Sequence, residues 1–578
     1  MPRTRSLVSV AVAVLAVAVA PALALPPIYD RIPAEAVVVI STQNLGDVDR
    51  DVTQMFGAVE LPALATPTEL LRRIGLGQAI DQTKPMAFAL MPGDLEADVP
   101  PAFLLVPTTD FGAMMQALDG TADGAVFTFD IPTGETLFAR AAQGGYAVVG
   151  MDRELVAAID GHPGNIAGHT AHVGAVGAET IDSAQLAILV KKPMLDLLRE
   201  QMEGSIEETL AGLGLLAAPE QAEQLQAQAE QAAALLNTVF TQGRELVVGI
   251  DAGATGLSAE LAMDFDPGSE LAGLFGHGGD SSRLLAALPN QPYLFAYALD
   301  ATAPAAQKMM EMMADANINM LIPAAPGADM TDLVKELRGL SFAVFQSPGG
   351  LMGGLLANSA GYFAVRDPNA AMKQIRTLVK GINEQAGDAL SFSYEPNAAE
   401  IDSVSADSWS MSFDAVANAG DDPMAGAMVQ QVTMMLFGPG GPGGYFAPGG
   451  NGIYTTMGLN RELLSASFNA EKGQNSLRED RGLSMVAQRL PENRSIEMFV
   501  GVGPILQQGL QMAAMFGMPI AVDVPASLPP VGMGVTTDRG GARLGCFVPA
   551  PVIKVVGQLA QQTQGMMNQG DQDAAPPF

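Results

Sequence analysis

The chain of 578 residues holds one cysteine, Cys546. That count excludes an intramolecular disulfide framework, a four-cysteine zinc site and a Cys-ligated iron–sulfur cluster. Positive charge is also scarce. Lys and Arg number 30 against 62 Asp and Glu, nine of the 30 being Lys, and the formal net charge is −32. A nucleic-acid-binding protein needs a basic face to meet phosphates, so that class is set aside. An acidic, Lys-poor surface stays soluble through self-repulsion and attracts divalent cations loosely. After residue 24 there is no run of 18 apolar residues, so no later membrane span is expected.

Apolar residues make up 48% of the chain, enough for real cores and too much for wholesale disorder. Residues 1–24 read as a signal peptide. Arg3 and Arg5 precede an apolar stretch from Leu7 to Ala20, and Ala22-Leu23-Ala24 offers a small-x-small cleavage site. The stretch is shorter than a bilayer span. The expected location is therefore outside the cytoplasm, in the periplasm or beyond the cell.

A repeated pattern organises the rest. Ile32-Pro33, Leu288-Pro289 and Leu490-Pro491 each precede a strand-like run, as suits a residue that cannot donate to a ladder. A fourth run, Gln185–Val190, lacks the Pro. Each unit closes when a strand meets Pro or Asp and then an amphipathic helix, as at Pro107–Asp110, Asp266-Pro267, Asp367-Pro368 and Pro549. Asp152 and Asn460 fit helix N-caps, because a short side-chain oxygen accepts the free amide hydrogens. The expected fold is α+β, with antiparallel sheets flanked by helices. It comprises four repeated strand-helix-hairpin-helix units in two pseudo-equivalent halves, residues 25–280 and 281–560. A Gln-rich tail, 561–578, is expected to be disordered. The apolar-Pro starts, the closures at Asp266-Pro267 and Asp367-Pro368 and the export signal resemble families of uncharacterised exported bacterial proteins built from repeated α+β modules. The resemblance implies no activity and supplies no functional residue.

Chemistry-bearing patterns are few. His162, His169 and His172 share one segment, and imidazole suits Zn, Cu or Ni, so these three are the candidate metal ligands. The competing reading is a solvated Gly/Ala-rich connector with no nearby carboxylate before Glu179. The Met clusters at Met309–Met313, Met424/Met428, Met434-Met435 and Met512/Met515/Met518 read first as core filling, and second as a groove for an apolar ligand or partner. Gly438–Gly443 matches a GxGxxG string, but Pro439 and Pro442 forbid the following helix that a pyrophosphate needs. Asp47-Val48-Asp49-Arg50-Asp51 starts like a calcium loop but has Val52 and Ala58 where Gly and Glu belong. His277 beside Asp280 allows a base with an orienting acid, without a marked nucleophile. No catalytic residue or cofactor is assigned. The leading expectation is a non-enzymatic envelope protein that binds an apolar ligand or a protein partner. The alternatives are an acid/base hydrolase and a periplasmic metal-handling protein.

Overall fold

A computed structural model describes residues 25–573, apart from 62–65, 78, 94–99, 203–232, 316–330, 348, 386–389, 414–422, 516 and 518–521. The expected signal peptide lies outside the described residues, as does most of Pro219–Phe240, where Leu225, Ala229, Ala232 and Leu236 recur at helical spacing and predict a helix. The chain divides into two compact units. The first comprises residues up to Asp49, Ala65–Ile250 and Ala262–Asp266. The second comprises Arg50–Leu64, Asp251–Leu261 and Pro267 onward.

The first ten strands are β1 (Val38–Asn44), β2 (Pro85–Leu90), β3 (Ala102–Pro107), β4 (Thr121–Asp123), β5 (Val126–Asp130), β6 (Thr136–Ala142), β7 (Tyr146–Gly150), β8 (Leu186–Lys191), β9 (Gly243–Gly253) and β10 (Gly256–Phe265). Their spatial order is β4-β5-β6-β7-β3-β2-β1-β8-β9-β10. In β1, Val38 faces Leu90 of β2 on one side and Val190 of β8 on the other. Alternation along the strands supplies two cores. Phe103 and Leu105 of β3 and Val148 of β7 join Tyr29, Val176 and Ile181 on one face. Val106, Ala147 and Val149 join Leu45, Leu71 and Met115 on the other. A strand buried on both faces reads as a nearly continuous apolar run, as Phe103–Val106 does.

The second ten strands are β11 (Tyr293–Leu299), β12 (Leu337–Phe345), β13 (Ser359–Val365), β14 (Leu390–Ile401), β15 (Val404–Phe413), β16 (Gly443–Gly449), β17 (Gly452–Met457), β18 (Arg494–Val500), β19 (Val531–Asp538) and β20 (Gly541–Pro549). They run β14-β15-β16-β17-β13-β12-β11-β18-β19-β20. Tyr362 and Tyr454 pack on one face of this sheet with Phe345 and Phe468. Trp409, Phe446 and Ile453 pack on the other with Ile375 and Val379.

The expected fold class is corrected by these pairings. Separate sheets in four strand-helix-hairpin-helix units do not describe the molecule, because the twenty strands among the described residues are hydrogen-bonded into a single antiparallel sheet. Strand edges left open by separate small sheets would expose unpaired N–H and C=O groups, and continuous pairing leaves fewer of them. Local signals hold at shorter range. Asp110 accepts from Ala113 N at 3.0 Å to start the helix Phe111–Ala117. Asp152 caps Arg153–Ala158 and Asn460 caps Arg461–Glu471. The helix Ala550–Asp573 continues into the Gln-rich stretch from residue 561 for which disorder is expected.

Candidate binding surface

The three histidines of the candidate metal site go to different environments. His169 is 0% exposed, its Nε2 lies 2.9 Å from the Ile32 carbonyl oxygen, and its ring meets Tyr29 edge-on at 5.4 Å. Burial, with the nearby Lys191 charge adding to it, pushes the imidazole down to about 4. His169 is therefore a neutral core residue that donates Nε2–H to the Ile32 carbonyl. His162 is exposed and accepts at Nδ1 from Gln143 Nε2 at 2.9 Å. His172 is exposed, one turn past His169. Among the described residues no three His, Cys, Asp or Glu side chains stand together as a metal requires. In an NMR titration the His169 ring should remain neutral down to pH 5, whereas an ordinary histidine protonates near pH 6.5. A His169 midpoint above 6 would contradict this placement.

The other patterns resolve similarly. Asp47, Asp49 and Asp51 lie on the helix Leu45–Val59 rather than in a loop, and Asp49 accepts from Thr68 N at 3.2 Å. Gly438 and Gly441 take positive φ, 72° and 68°, in a turn that leads into β16, not into a helix. The exposed His277 offers its backbone carbonyl to Thr537 Oγ1 at 2.8 Å, while Asp280 accepts from Ser282 at 2.7 Å. Cys546 is half-buried on β20, and burial raises its thiol.

The sequence reading missed a pair of buried carboxylates. Glu245 on β9 and Asp264 on β10 both point at the start of the helix Ala175–Ser183. Gly174 N donates to Glu245 Oε1 at 2.7 Å, and Gly177 N donates to Asp264 Oδ2 at 2.7 Å. Free amide hydrogens and the positive end of the helix dipole attract both acids. Glycine is needed here, since a Cβ on Gly174 would fall 2.2 Å from Asp264 Cγ. Burial, and then the Asp264 charge, raise the Glu245 carboxyl to about 9. Glu245 is thus protonated at neutral pH, and both acids are engaged by the helix rather than open to a substrate. The signal was faint: two acids 19 residues apart across a hairpin, in strands that also carry Arg244, Asp251 and Glu260.

On one face of the second unit's sheet a cavity is lined by Leu333, Leu337, Phe363, Ile375, Phe446 and other apolar side chains. Its volume of 20 Å³ is close to the roughly 10–15 Å³ that one water needs. An acyl chain or drug-sized ligand does not fit in it, and the other candidate is a surface.

That surface is at one end of the second unit. Three stretches contain no Asp, Glu, Lys, Arg or His: Gly339–Val365, Pro423–Asn460 and Met498–Val522. The fold brings them together around the segment 350–358. Leu355 N and Leu356 N donate to the Met435 and Leu436 carbonyls, at 3.0 and 2.7 Å, tying this segment to the end of the helix Pro423–Phe437. A Cβ on Gly350 would lie 3.9 Å from Gln511 of the helix Val502–Met515, and one on Gly458 would meet the Ala357 carbonyl oxygen. Around this segment the apolar side chains of Val432, Met434, Met435, Leu459, Ile505 and Met512 are exposed, Leu459 by 61% and Met435 by 51%. Three Met expected to fill core are thus on the surface. Single exposed apolar residues are ordinary, but a group of them on charge-free elements marks an interaction site.

No known protein family matches the chain, and no curated protein matches it. The resemblance drawn from Asp266-Pro267 and Asp367-Pro368 therefore acquires no family name. Among solved structures, one described as "Structure of crystal form III of TP0453" is similar at 8% identity and a TM-score of 0.23, over 48% of this chain and 97% of that one.

Proposed function

We propose that this chain is an exported envelope protein with a non-enzymatic binding role, and that its binding surface is the charge-free apolar end of the second unit. The observation that carries this reading is the convergence of three charge-free stretches, far apart in sequence, in a chain with a net charge of −32. Keeping Val432, Met434, Met435, Leu459, Ile505 and Met512 in water costs solubility that a single alternation of polar residues would restore. The export signal at residues 1–24 supports placement in the envelope. Among the described residues no helix is long and apolar enough to cross a membrane.

A neutral solvatochromic dye tests the reading without assuming a ligand. The wild-type chain should brighten Nile red strongly, and the double variant M435Q/I505Q should lose most of that signal while keeping its circular dichroism. An undiminished signal in the variant would move the apolar site elsewhere.

A further inference from the structure

Resting on that reading, we propose that the occupant of this face is the surface of an electrically neutral lipid bilayer. Charge is the first argument. A chain with 62 acids against 30 bases is repelled by anionic headgroups, and the three stretches that build the face carry no Lys or Arg to reverse that repulsion, the exposed Arg461 near Leu459 being followed by the exposed Glu462. Zwitterionic or uncharged headgroups are its electrostatic match. Side-chain type is the second. Protein–protein hot spots are built on Trp, Tyr and Arg, whereas the exposed side chains here are Met, Leu, Ile and Val. These adapt to mobile acyl chains and do not need a shaped pocket.

Length fixes the mode of contact. The helix Pro423–Phe437 has 15 residues and Val502–Met515 has 14, so each is about 22 Å long. That falls short of the roughly 30 Å hydrocarbon core. Neither helix can span, so both reach no further than one leaflet. Pro423–Phe437 is apolar around most of its circumference, with Gln430, Gln431 and Thr433 as its polar exceptions among Val429–Phe437. A helix of that kind requires an apolar medium on its outer side as well as its inner one.

The test is flotation of the chain starting at Leu25, which holds every described residue and omits the apolar leader. The probes are phosphatidylcholine vesicles and the same vesicles with phosphatidylglycerol added. The chain should float with pure phosphatidylcholine, and less with the anionic mixture at low salt. That difference should shrink at 1 M salt, where the screening length is about 3 Å. M435Q/I505Q should lower the partition coefficient at least about tenfold, and L459Q, in a turn, should lower it without touching a helix. Absence of flotation with Nile red binding retained would overturn the lipid assignment and leave the apolar face standing. Loss of both would remove both readings. Flotation unchanged in the variants, binding to anionic vesicles alone, or a dimer that protects Met435 would each overturn the proposal.

Discussion

Replacing Asp407 with Ala should cost the second unit about 3 kcal/mol, near the lower end for breaking a buried ion pair. Asp407 is 1% exposed and accepts from Arg376 Nε at 2.7 Å, Arg376 Nη2 at 2.9 Å, the backbone N of Asn397 at 2.9 Å and the Tyr394 hydroxyl. One carboxylate thereby ties the helix Pro368–Gln385 to the hairpin β14–β15. The figure sits at the lower end because Arg376 is partly open to water, which recovers some of its lost solvation. Burial raises the Asp407 carboxyl, but the hydrogen bonds from Arg376, Tyr394 and Asn397 outweigh it and hold the group below the usual carboxylate range. Its contribution is therefore present above the ordinary carboxylate pKa and lost as pH falls through the lower folded value. Trp409 reports on this region, stacked between Phe392 at 5.9 Å and Phe446 at 6.1 Å. Denaturant unfolding followed by its fluorescence should show the loss, with D407N losing less than D407A. A loss under about 1 kcal/mol would mean that water replaces the carboxylate.

The Glu245–Asp264 pair has the opposite pH dependence. With Glu245 raised from 4.5 to about 9, the folded first unit holds a proton that the unfolded chain releases. Stability is greatest below pH 4.5 for this group and is lost as pH rises toward 9, by about 3 kcal/mol at pH 7. Substituting Gln imitates the protonated acid. Its carbonyl can accept from Gly174 N and its amide can donate to Asp264. E245Q should therefore flatten the pH dependence and stabilise the first unit by more than about 3 kcal/mol at pH 8, with little change at pH 4. Hydrogen exchange of the amides in Ala175–Ser183 reads the effect locally. Faster exchange in E245Q at every pH would show that the wild-type acid is ionised and its charge is needed by the helix N-terminus.

Several local features were legible in the sequence because they depend on neighbours in the chain. The caps at Asp152 and Asn460 and the strand-to-helix closures at Pro107–Asp110, Asp367-Pro368 and Pro549 are of this kind. The long hairpin Leu390–Phe413 escaped notice, although Ser391-Phe392-Ser393-Tyr394 alternates as a strand should. Pairings such as β3 with β7 and β11 with β18 join residues distant in sequence, so the single sheet could not be read from any one segment. The same holds for function. Met434-Met435 and Met512 carry the same side chain as Met114 and Met115, which are buried, and composition cannot separate the two fates. The charge-free stretches were visible one by one, but their meaning depends on the segment 350–358 that gathers them.

The central claim is that the charge-free end of the second unit enters a neutral bilayer interface. Cys546 is the chain's single cysteine, so a C546S background allows one thiol at a time to be placed at chosen positions. An environment-sensitive label at 435, 459 or 505 should shift to the blue on adding phosphatidylcholine vesicles. A label at 70, replacing the exposed Leu70 of the first unit, should not. Equal shifts at all four positions, or none at 435, 459 and 505, would contradict the account.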